Sequence, residues 1–322
     1  MKTDSTGRVL RVCVLGVVGS PIAFASGCDR GGEAESASTQ APASSASDGF
    51  VVQTVNYPLA YFAERISGGH CDVRFLAPAE GDPAFWMPDR DSIVQLQSAD
   101  LILANGASYA KWMGGVSLPT SKIVDTSASF ASAYIETEDS IVHSHGVGGE
   151  HSHGGTAFTT WLDMTQARAQ AEAVRNALIE RHAEHSDDFR VNAEALLSDI
   201  DALDAALAAV GESLAGTPLV GSHPVYQYLS RRYGLSLEAL HWEPEMTITS
   251  ENLAELAELR ENHAAGWMVW EGDPAADAIA ALENVGVRSV VFDPCGNRSD
   301  EGDWLSVMRS NVEAVRSIAE GG

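Results

Sequence analysis

Lysine is scarce in this sequence, and its scarcity limits the function before any motif is considered. Only three lysines occur, and 45 Asp and Glu against 20 Lys and Arg give a formal net charge of −25. Because phosphate groups are bound by basic surfaces, this balance argues against a nucleic-acid partner. An acidic surface is compatible with cationic ligands, although solubility or a saline habitat is the simpler explanation.

Cysteine is also scarce, with four residues in the chain. Cys13 and Cys28 lie near the N-terminus, which leaves Cys71 and Cys295, far apart in the sequence. One disulfide in an oxidising compartment and two separate buried thiols both fit this pattern, and spacing does not decide between them.

Long apolar runs are missing too, and the first 27 residues have the pattern of a targeting segment. A basic start precedes the apolar run Val12–Ala25, which is too short to span a bilayer. The run ends in Ala25-Ser26-Gly27-Cys28, which resembles a bacterial lipobox. Cleavage there would leave a lipidated Cys28 that anchors the protein to a membrane, whereas an ordinary secretory signal is the alternative. Residues 28–48 lack large apolar side chains and are predicted to be a flexible tether.

From Phe50 onward, short apolar strands alternate with helices, which predicts an α/β fold with parallel sheets. The predicted strands are Phe50–Val55, Cys71–Leu76, Leu101–Ala104, Lys122–Thr126, Pro218–Ser222, Trp267–Trp270 and Arg288–Phe292.

The middle of the chain is helical. Helices are predicted over Asp163–His182 and from about Asp187 to Gly211, the second with apolar residues every three or four positions. We predict two parallel-sheet lobes, residues 49–162 and 217–322, joined by a long helical spine, residues 163–216. An ordinary core helix of one larger domain is the alternative. Two such lobes would hold a ligand in the cleft between them, at the carboxyl ends of the strands.

Two polar residues follow predicted strands directly. His223 comes after the strand ending at Ser222, before a proline expected to start a helix, and Asp293 follows VVF. Imidazole and carboxylate are ligands for zinc or manganese. Taken alone, His223 fits a helix start and Asp293 fits an Asp-Pro turn. Glu271 is expected to point toward the same cleft as an outer-shell group.

Three further histidines receive plainer interpretations. His241 is expected to lie on the surface, and His182 and His185 are expected to be exposed at helix ends. Adjacent side chains rarely face each other and no GxSxG motif occurs, so Ser222 and His223 do not form a hydrolase pair.

The stretch VHSHGVGGEHSHGG, residues 142–155, carries His143, His145, His151 and His153 among glycines. Such a segment cannot pack a core. It can be solvated filler, but its two His-Ser-His pairs place imidazoles close together twice, which favours metal contact.

Several longer motifs occur in a fixed order: GDPAFWMPDRDSIVQLQSADLILANGASYAKW, TTWLDMTQARAQAEAV, GSHPVYQYLSRRYGL and VVFDP. With them the chain resembles, from Phe50 to Ala319, the solute-binding lipoproteins of bacterial zinc and manganese ABC importers. The resemblance implies two lobes around a long helix, one divalent ion in the cleft, and delivery to a membrane permease. A histidine-rich loop is common in the zinc-specific members.

The family's ligand pattern is only half present. Its third position, histidine or glutamate, is His223, and its fourth, aspartate, is Asp293. Ala84 and Thr159 stand where the family usually has its first two histidines. Two protein ligands hold an ion weakly. Either the histidine loop supplies the missing imidazoles, or the cleft takes a chelated metal or another solute against Phe85, Trp86, Phe158 and Trp161, or the protein binds metal poorly and acts otherwise.

The sequence therefore predicts a monomeric extracytoplasmic lipoprotein, on the periplasmic or extracellular face, that serves the permease of a metal ABC importer. Zinc is the expected cargo, with manganese second because it prefers more oxygen ligands. The alternatives are a metal-buffering or adhesin-like surface lipoprotein and, less favoured, a metal-dependent enzyme.

Overall fold

The described residues of this computed structural model are 49–137, 142–144, 150–152 and 155–321. The predicted leader, Cys28, the predicted tether, His145 and His153 lie outside them. These described residues belong to one compact unit.

A first parallel sheet forms early in the chain, because its strands are short, apolar and separated by crossover segments. Its strand order is β2-β1-β3-β4. The bounds are β1 Val51–Thr54, β2 Asp72–Phe75, β3 Leu101–Ala104 and β4 Ile123–Asp125. Val52 of the inner strand β1 pairs with Val73 on one side and Leu101 on the other.

A second sheet repeats this arrangement near the C-terminus with the order β10-β9-β11-β12, again all parallel. Its strands are β9 Pro218–Gly221, β10 Ser236–Ala239, β11 Trp267–Trp270 and β12 Arg288–Val291. The two sheets confirm the predicted α/β class. The edge strand β10 was not predicted from the sequence, because its exposed and half-buried residues give no apolar run.

Two short antiparallel pairs lie between the sheets in sequence. They join β5 Glu136–Thr137 to β8 Gly155–Thr156, and β6 Val142–Ser144 to β7 Glu150–Ser152. In the inner pair His143 is the backbone partner of His151. The strands β6 and β7 therefore form an antiparallel pair within the histidine-rich segment.

The helices are α1 Tyr57–Ser67, α2 Arg90–Ser98, α3 Met164–Arg181, α4 Ser186–Ser213, α5 Gln227–Tyr233, α6 Ser250–Asn262, α7 Ala276–Asn284 and α8 Trp304–Glu320. In the described part of the chain, none is long and apolar enough to cross a membrane.

Helix α4 is the predicted spine. Its 28 residues span about 42 Å at 1.5 Å per residue, and it packs against α1, α3, α5 and α8. Leu196, Ile200, Leu203 and Leu207 form the apolar row expected from their spacing, and all four are buried. The long connecting helix is therefore confirmed, whereas the exact domain boundaries stay a prediction.

Polar side chains fix where several helices begin. Asp163 accepts the Thr165 N–H at 3.0 Å and so caps α3. Thr249 forms a reciprocal capping box with Asn252 at the start of α6. The prediction for Pro224 was wrong, because α5 begins only at Gln227. A tight turn, in which the Val225 N–H bonds the His223 carbonyl at 2.9 Å, occupies that position.

Cys71 and Cys295, the cysteines among the described residues, are buried thiols and are not joined to each other. Burial raises the pKa of the Cys295 thiol far above its usual range. Of the two alternatives, the structure has separate thiols.

Candidate metal centre

Each strand of the second sheet delivers polar side chains to the same edge. His223 follows β9, Glu243 follows β10, Glu271 follows β11 and Asp293 follows β12. Because the strands are parallel, all four residues emerge at their carboxyl ends, where open α/β sheets hold ligands. They line one cavity of about 920 Å³.

The backbone around His223 is held firmly. The Ser222 N–H donates to the Val269 carbonyl at 2.8 Å, and the Trp242 N–H donates to the Ser222 carbonyl at 2.7 Å. These bonds tie the end of β9 to its neighbours on both sides. As a result His223 is 5% exposed and its ring is fixed on the cavity wall.

Two carboxylates approach the same imidazole nitrogen. His223 Nδ1 lies 3.5 Å from Glu243 Oε1 and 3.6 Å from Glu271 Oε1. The three potential ligand atoms lie within 4.8 Å of one another, which matches a site for one metal ion. His241 packs its ring edge-on against His223, with centroids 5.8 Å apart.

Hydrogen bonds to both the side chain and the backbone of Asp293 fix its orientation. Its Oδ1 accepts the Cys295 N–H at 2.6 Å, and its own N–H donates to Asn311 Oδ1 at 3.0 Å. Asn311, buried on α8, returns a bond from Nδ2 to the Asp293 carbonyl at 2.7 Å. Burial raises the pKa of Asp293, while the bond from Cys295 acts in the opposite direction.

The electrostatics of the cavity favour a cation. Burial raises the pKa of Glu271 well above its usual range, and the negative charges of Glu243, Asp82, Asp293 and Glu245 raise it further. Lys111 also lines the cavity. A bound divalent ion would offset the repulsion among these carboxylates.

The two positions where the usual histidines are missing do not offer ligands here. Ala84 is buried and gives only its N–H, which donates to Asp82 Oδ1 at 2.8 Å. The Thr159 hydroxyl donates to the Val225 carbonyl at 2.5 Å. Thr159 therefore connects the two halves of the cavity.

The carboxyl edge of the first sheet is occupied by its own hydrogen bonds. Asn105 Oδ1 accepts from Asn56 Nδ2 at 3.1 Å and from Gln170 Nε2 at 3.1 Å. Gln170 Nε2 also donates to Thr126 Oγ1 at 3.1 Å. Such satisfied buried polar groups hold the sheet and helix α3 together. The strand ends of the first sheet are thus engaged in hydrogen bonds with one another and with α3, whereas those of the second sheet carry imidazole and carboxylate side chains into the cavity.

Aromatic rings form much of that wall. Phe85, Phe158 and Trp161 line the cavity as predicted. Trp86 instead packs against Trp112, with ring centroids 5.8 Å apart.

The histidine-rich segment starts and ends at the cavity. Thr137 precedes it, Gly155 is its last residue and Thr156 follows it, and all three line the cavity. The strands β6 and β7, which carry His143 and His151, lie between these residues in the sequence. His145 and His153 lie outside the described residues.

Glu243 was not predicted as a site residue, and the surface position predicted for His241 was wrong. His241 is a cavity-lining residue and not a separate surface histidine. Both follow β10, whose residues alternate between exposed and half-buried. Once that strand is recognised, the rule that identified His223 and Asp293 also identifies the polar run HWEPE that follows it.

Comparison with known proteins identifies relatives with this architecture. The family model for ZnuA, the periplasmic component A of a zinc-uptake complex, matches residues 51–318. The zinc-binding lipoprotein AdcA of Streptococcus pneumoniae serotype 4 is 24% identical over 281 residues, covering 84% of this chain and 56% of AdcA. The chain thus spans little more than half of that relative.

Two further matches cover nearly the whole of the related chain. The metal ABC transporter substrate-binding lipoprotein SsaB of Streptococcus sanguinis is 23% identical over 290 residues, which is 86% of this chain and 92% of SsaB. The crystal structure of the Zn(II)-bound ZnuA-like domain of Streptococcus pneumoniae AdcA superposes with a TM-score of 0.70 at 21% identity, covering 84% of this chain and 99% of that domain. That structural likeness confirms the fold.

Proposed function

The chain belongs to the family of periplasmic zinc-uptake component A proteins, and on that premise we propose that it captures a divalent metal ion outside the cytoplasm and delivers it to an ABC permease. Proteins of this family are solute-binding proteins for metal transport and not enzymes. They work with ABC permeases, and curated relatives are lipoproteins.

One observation carries the proposal: the ends of the four strands of the second sheet bring His223, Glu243, Glu271 and Asp293 to one cavity. His223, Glu243 and Glu271 have ligand atoms within 4.8 Å of one another, and Asp293 lines the same cavity. We assign His223 and Asp293 as ligands together with Glu243 and Glu271. Two carboxylates that the sequence analysis did not count as ligands thus replace the histidines missing at positions 84 and 159.

We propose zinc as the cargo and manganese as its competitor. Zinc takes histidine and carboxylate ligands in four-coordinate sites, and the histidine-rich segment at the cavity rim supports it. The oxygen-rich ligand set is also one that manganese accepts. We propose that the segment's four histidines bind the metal ion first and transfer it into the cavity. They are His143, His145, His151 and His153.

For localisation we propose a lipid anchor on Cys28, which would hold a monomeric protein at the periplasmic or extracellular face of a membrane. The support is the lipobox-like sequence before Cys28 and the polar stretch that follows it.

A second candidate cargo is a chelated metal, and the size of the cavity favours it. The volume of about 920 Å³ far exceeds the roughly 30 Å³ share of one water molecule. Phe85, Phe158 and Trp161 give it aromatic walls. The hydroxyl of Tyr109, also on the wall, is buried and has no hydrogen-bond partner among the described residues. A chelator with an acceptor atom would satisfy that hydroxyl.

Calorimetric titration of the full chain with zinc chloride, and in parallel with manganese chloride, tests the proposal. We expect one tight zinc equivalent that His223→Ala removes and Glu243→Gln weakens by at least about 10-fold. Glu238→Gln is the matched control, because Glu238 Oε1 lies 3.6 Å from a different histidine, His263, and does not line the cavity.

Tight zinc binding that survives His223→Ala would contradict the assignment of the cavity. An absence of tight binding by either bare ion would contradict capture of a free ion and favour the chelated cargo. Equal effects of Glu243→Gln and Glu238→Gln would remove Glu243 from the ligand set.

A further inference from the structure

A second group of histidines lies where α3 ends and α4 begins. It comprises His182, Glu184, His185 and Asp188 from that junction, joined by His70 from the loop between α1 and β2. None of these five described residues lines the cavity of the second sheet. The prediction that His182 and His185 are exposed was wrong, because His182 is buried and His185 is half-buried.

The side chains of this group already approach one another closely. The rings of His70 and His185 stack with centroids 3.8 Å apart and an angle of 14° between their planes. His70 Nε2 lies 3.0 Å from Asp188 Oδ2. The His182 ring lies 4.9 Å from the His185 ring, and His182 Nδ1 is 3.5 Å from Glu184 Oε1.

These separations suit a tetrahedral ion. Zinc bonds of about 2.0–2.1 Å place neighbouring ligand atoms about 3.3 Å apart. The ligand atoms of His70, His185 and Asp188 lie within 4.8 Å of one another, as do those of His182, Glu184 and His185. Because the lone pair of an imidazole nitrogen lies in the ring plane, the stacked rings of His70 and His185 have to tilt apart for both to face one ion.

The surroundings fix the group on one side and leave it accessible on the other. His182 stacks on Phe50 at a centroid distance of 4.5 Å, and the Phe189 ring contacts all three histidine rings. The Asp188 side chain is 64% exposed, so an ion can enter from solvent. The neighbouring Asp187 is engaged by Arg190 Nη1 at 2.8 Å, whereas Asp188 faces His70.

We propose that His70, His185 and Asp188 form a second divalent-metal site of the zinc type, independent of the cavity. Water fills its fourth position, and His182 and Glu184 support His185 from behind. The site joins the α1–β2 loop to the α3–α4 junction. Three protein ligands bind more weakly than a complete tetrad, so this site fills after the cavity as the zinc concentration rises.

The test uses the full chain with the other zinc ligands removed. The background variant carries His223→Ala, Glu243→Gln, Glu271→Gln and Asp293→Asn in the cavity and alanine at His143, His145, His151 and His153. Titration with zinc chloride by calorimetry, and with cobalt chloride by visible absorption, then reports on the second site alone. We expect one equivalent of either metal, and cobalt bands typical of low-coordinate nitrogen and oxygen ligation. A background variant that binds neither metal would overturn the proposal.

Neighbouring aspartates provide a matched pair of variants in this background. Asp188→Asn should weaken zinc binding by at least about 10-fold, whereas Asp187→Asn, with the same charge change in the same helical turn, should leave it within about 3-fold. His70→Ala should abolish the cobalt bands. Equal effects of the two aspartate variants would mean that general charge attracts the metal, and bands that survive His70→Ala would exclude the assigned ligands. Because the background lacks the cavity ligands, its result is independent of the cargo experiment.

Discussion

Glu271 shows at the residue scale how a binding site opposes stability. Its side chain is 21% exposed and stands 3.6 Å from the His223 ring among other acidic groups. Burial is the main cause that raises the pKa of Glu271, and the carboxylates of Glu243, Asp82 and Asp293 add to it. A carboxyl in these surroundings opposes folding whenever it is ionised and no cation is bound.

We therefore expect Glu271→Gln to stabilise the metal-free protein at neutral pH. Because the pKa of Glu271 is higher in the folded protein than in the unfolded chain, the folded state binds the proton more tightly. Its stabilising contribution is complete below the unfolded value of about 4.3 and is lost as the pH rises through the folded pKa. The variant should gain on the order of 1 kcal/mol at pH 7 to 8.

Urea denaturation in the presence of a chelator, at pH values from 5 to 8, measures this gain. The difference in the free energy of unfolding between variant and wild type should grow with pH, and saturating zinc should reverse its sign. Glu238→Gln, which neutralises a carboxyl outside the cavity, is the control. A Glu271→Gln protein that is less stable than wild type at every pH would contradict this explanation.

Single residues were predictable where one rule sufficed. His223 and Asp293 each follow an apolar run, so the rule for strand ends located them at the cavity. Glu243 follows a strand whose outer residues are exposed, so no apolar run marks it. The group around His70 was not predicted for a different reason: His70 precedes the other members by more than a hundred residues, and only the fold brings it to them.

At the scale of elements, α4 is the part on which the rest of the fold is assembled. Helix α5 docks on it through Asp204, which accepts the Tyr233 hydroxyl at 2.9 Å and Arg232 Nη2 at 2.7 Å. Two turns further along α4, Gly211 faces the Tyr233 carbonyl oxygen so closely that a Cβ there would collide with it. Glycine is required at this position because the two backbones nearly touch.

This close approach predicts an exception to the usual scale of helix propensities. Replacing glycine by alanine in an open helix interior stabilises by about 1 kcal/mol. Gly211→Ala should instead destabilise by about 1–3 kcal/mol, because α5 must move away. Urea denaturation measures this, with Ala209→Gly as the comparison, since Ala209 is exposed one half-turn earlier and should lose about 1 kcal/mol from propensity alone. Stabilisation by Gly211→Ala would show that α5 does not pack here as described.

Most elements followed from local pattern. Apolar residues at spacings of three and four located α4, and short apolar runs located the inner strands of both sheets. The helix start predicted at Pro224 was wrong because proline suits the first turn of a helix and also a tight turn. Here a tight turn from His223 to Val225 occupies the position, and the imidazole of His223 lines the cavity.

At the scale of the whole molecule, the two similar sheets have unequal roles. The carboxyl edge of the first sheet is used by hydrogen bonds among Asn56, Asn105, Thr126 and Gln170, while the edge of the second carries imidazole and carboxylates. The family resemblance implied that both halves share the ligands. This asymmetry could not be predicted, because Ala84 and Thr159 indicate which ligands are missing but not which residues replace them.

The central claim is that one ion binds on the second sheet's edge, and anomalous diffraction at the zinc edge tests it most directly. Crystals of the zinc-loaded protein should show the strongest anomalous peak in the cavity, about 2.0–2.2 Å from His223 and from carboxylate oxygens of Glu243, Glu271 or Asp293. A strongest peak held by the histidine-rich segment alone or by the group around His70, with none beside His223, would contradict the account.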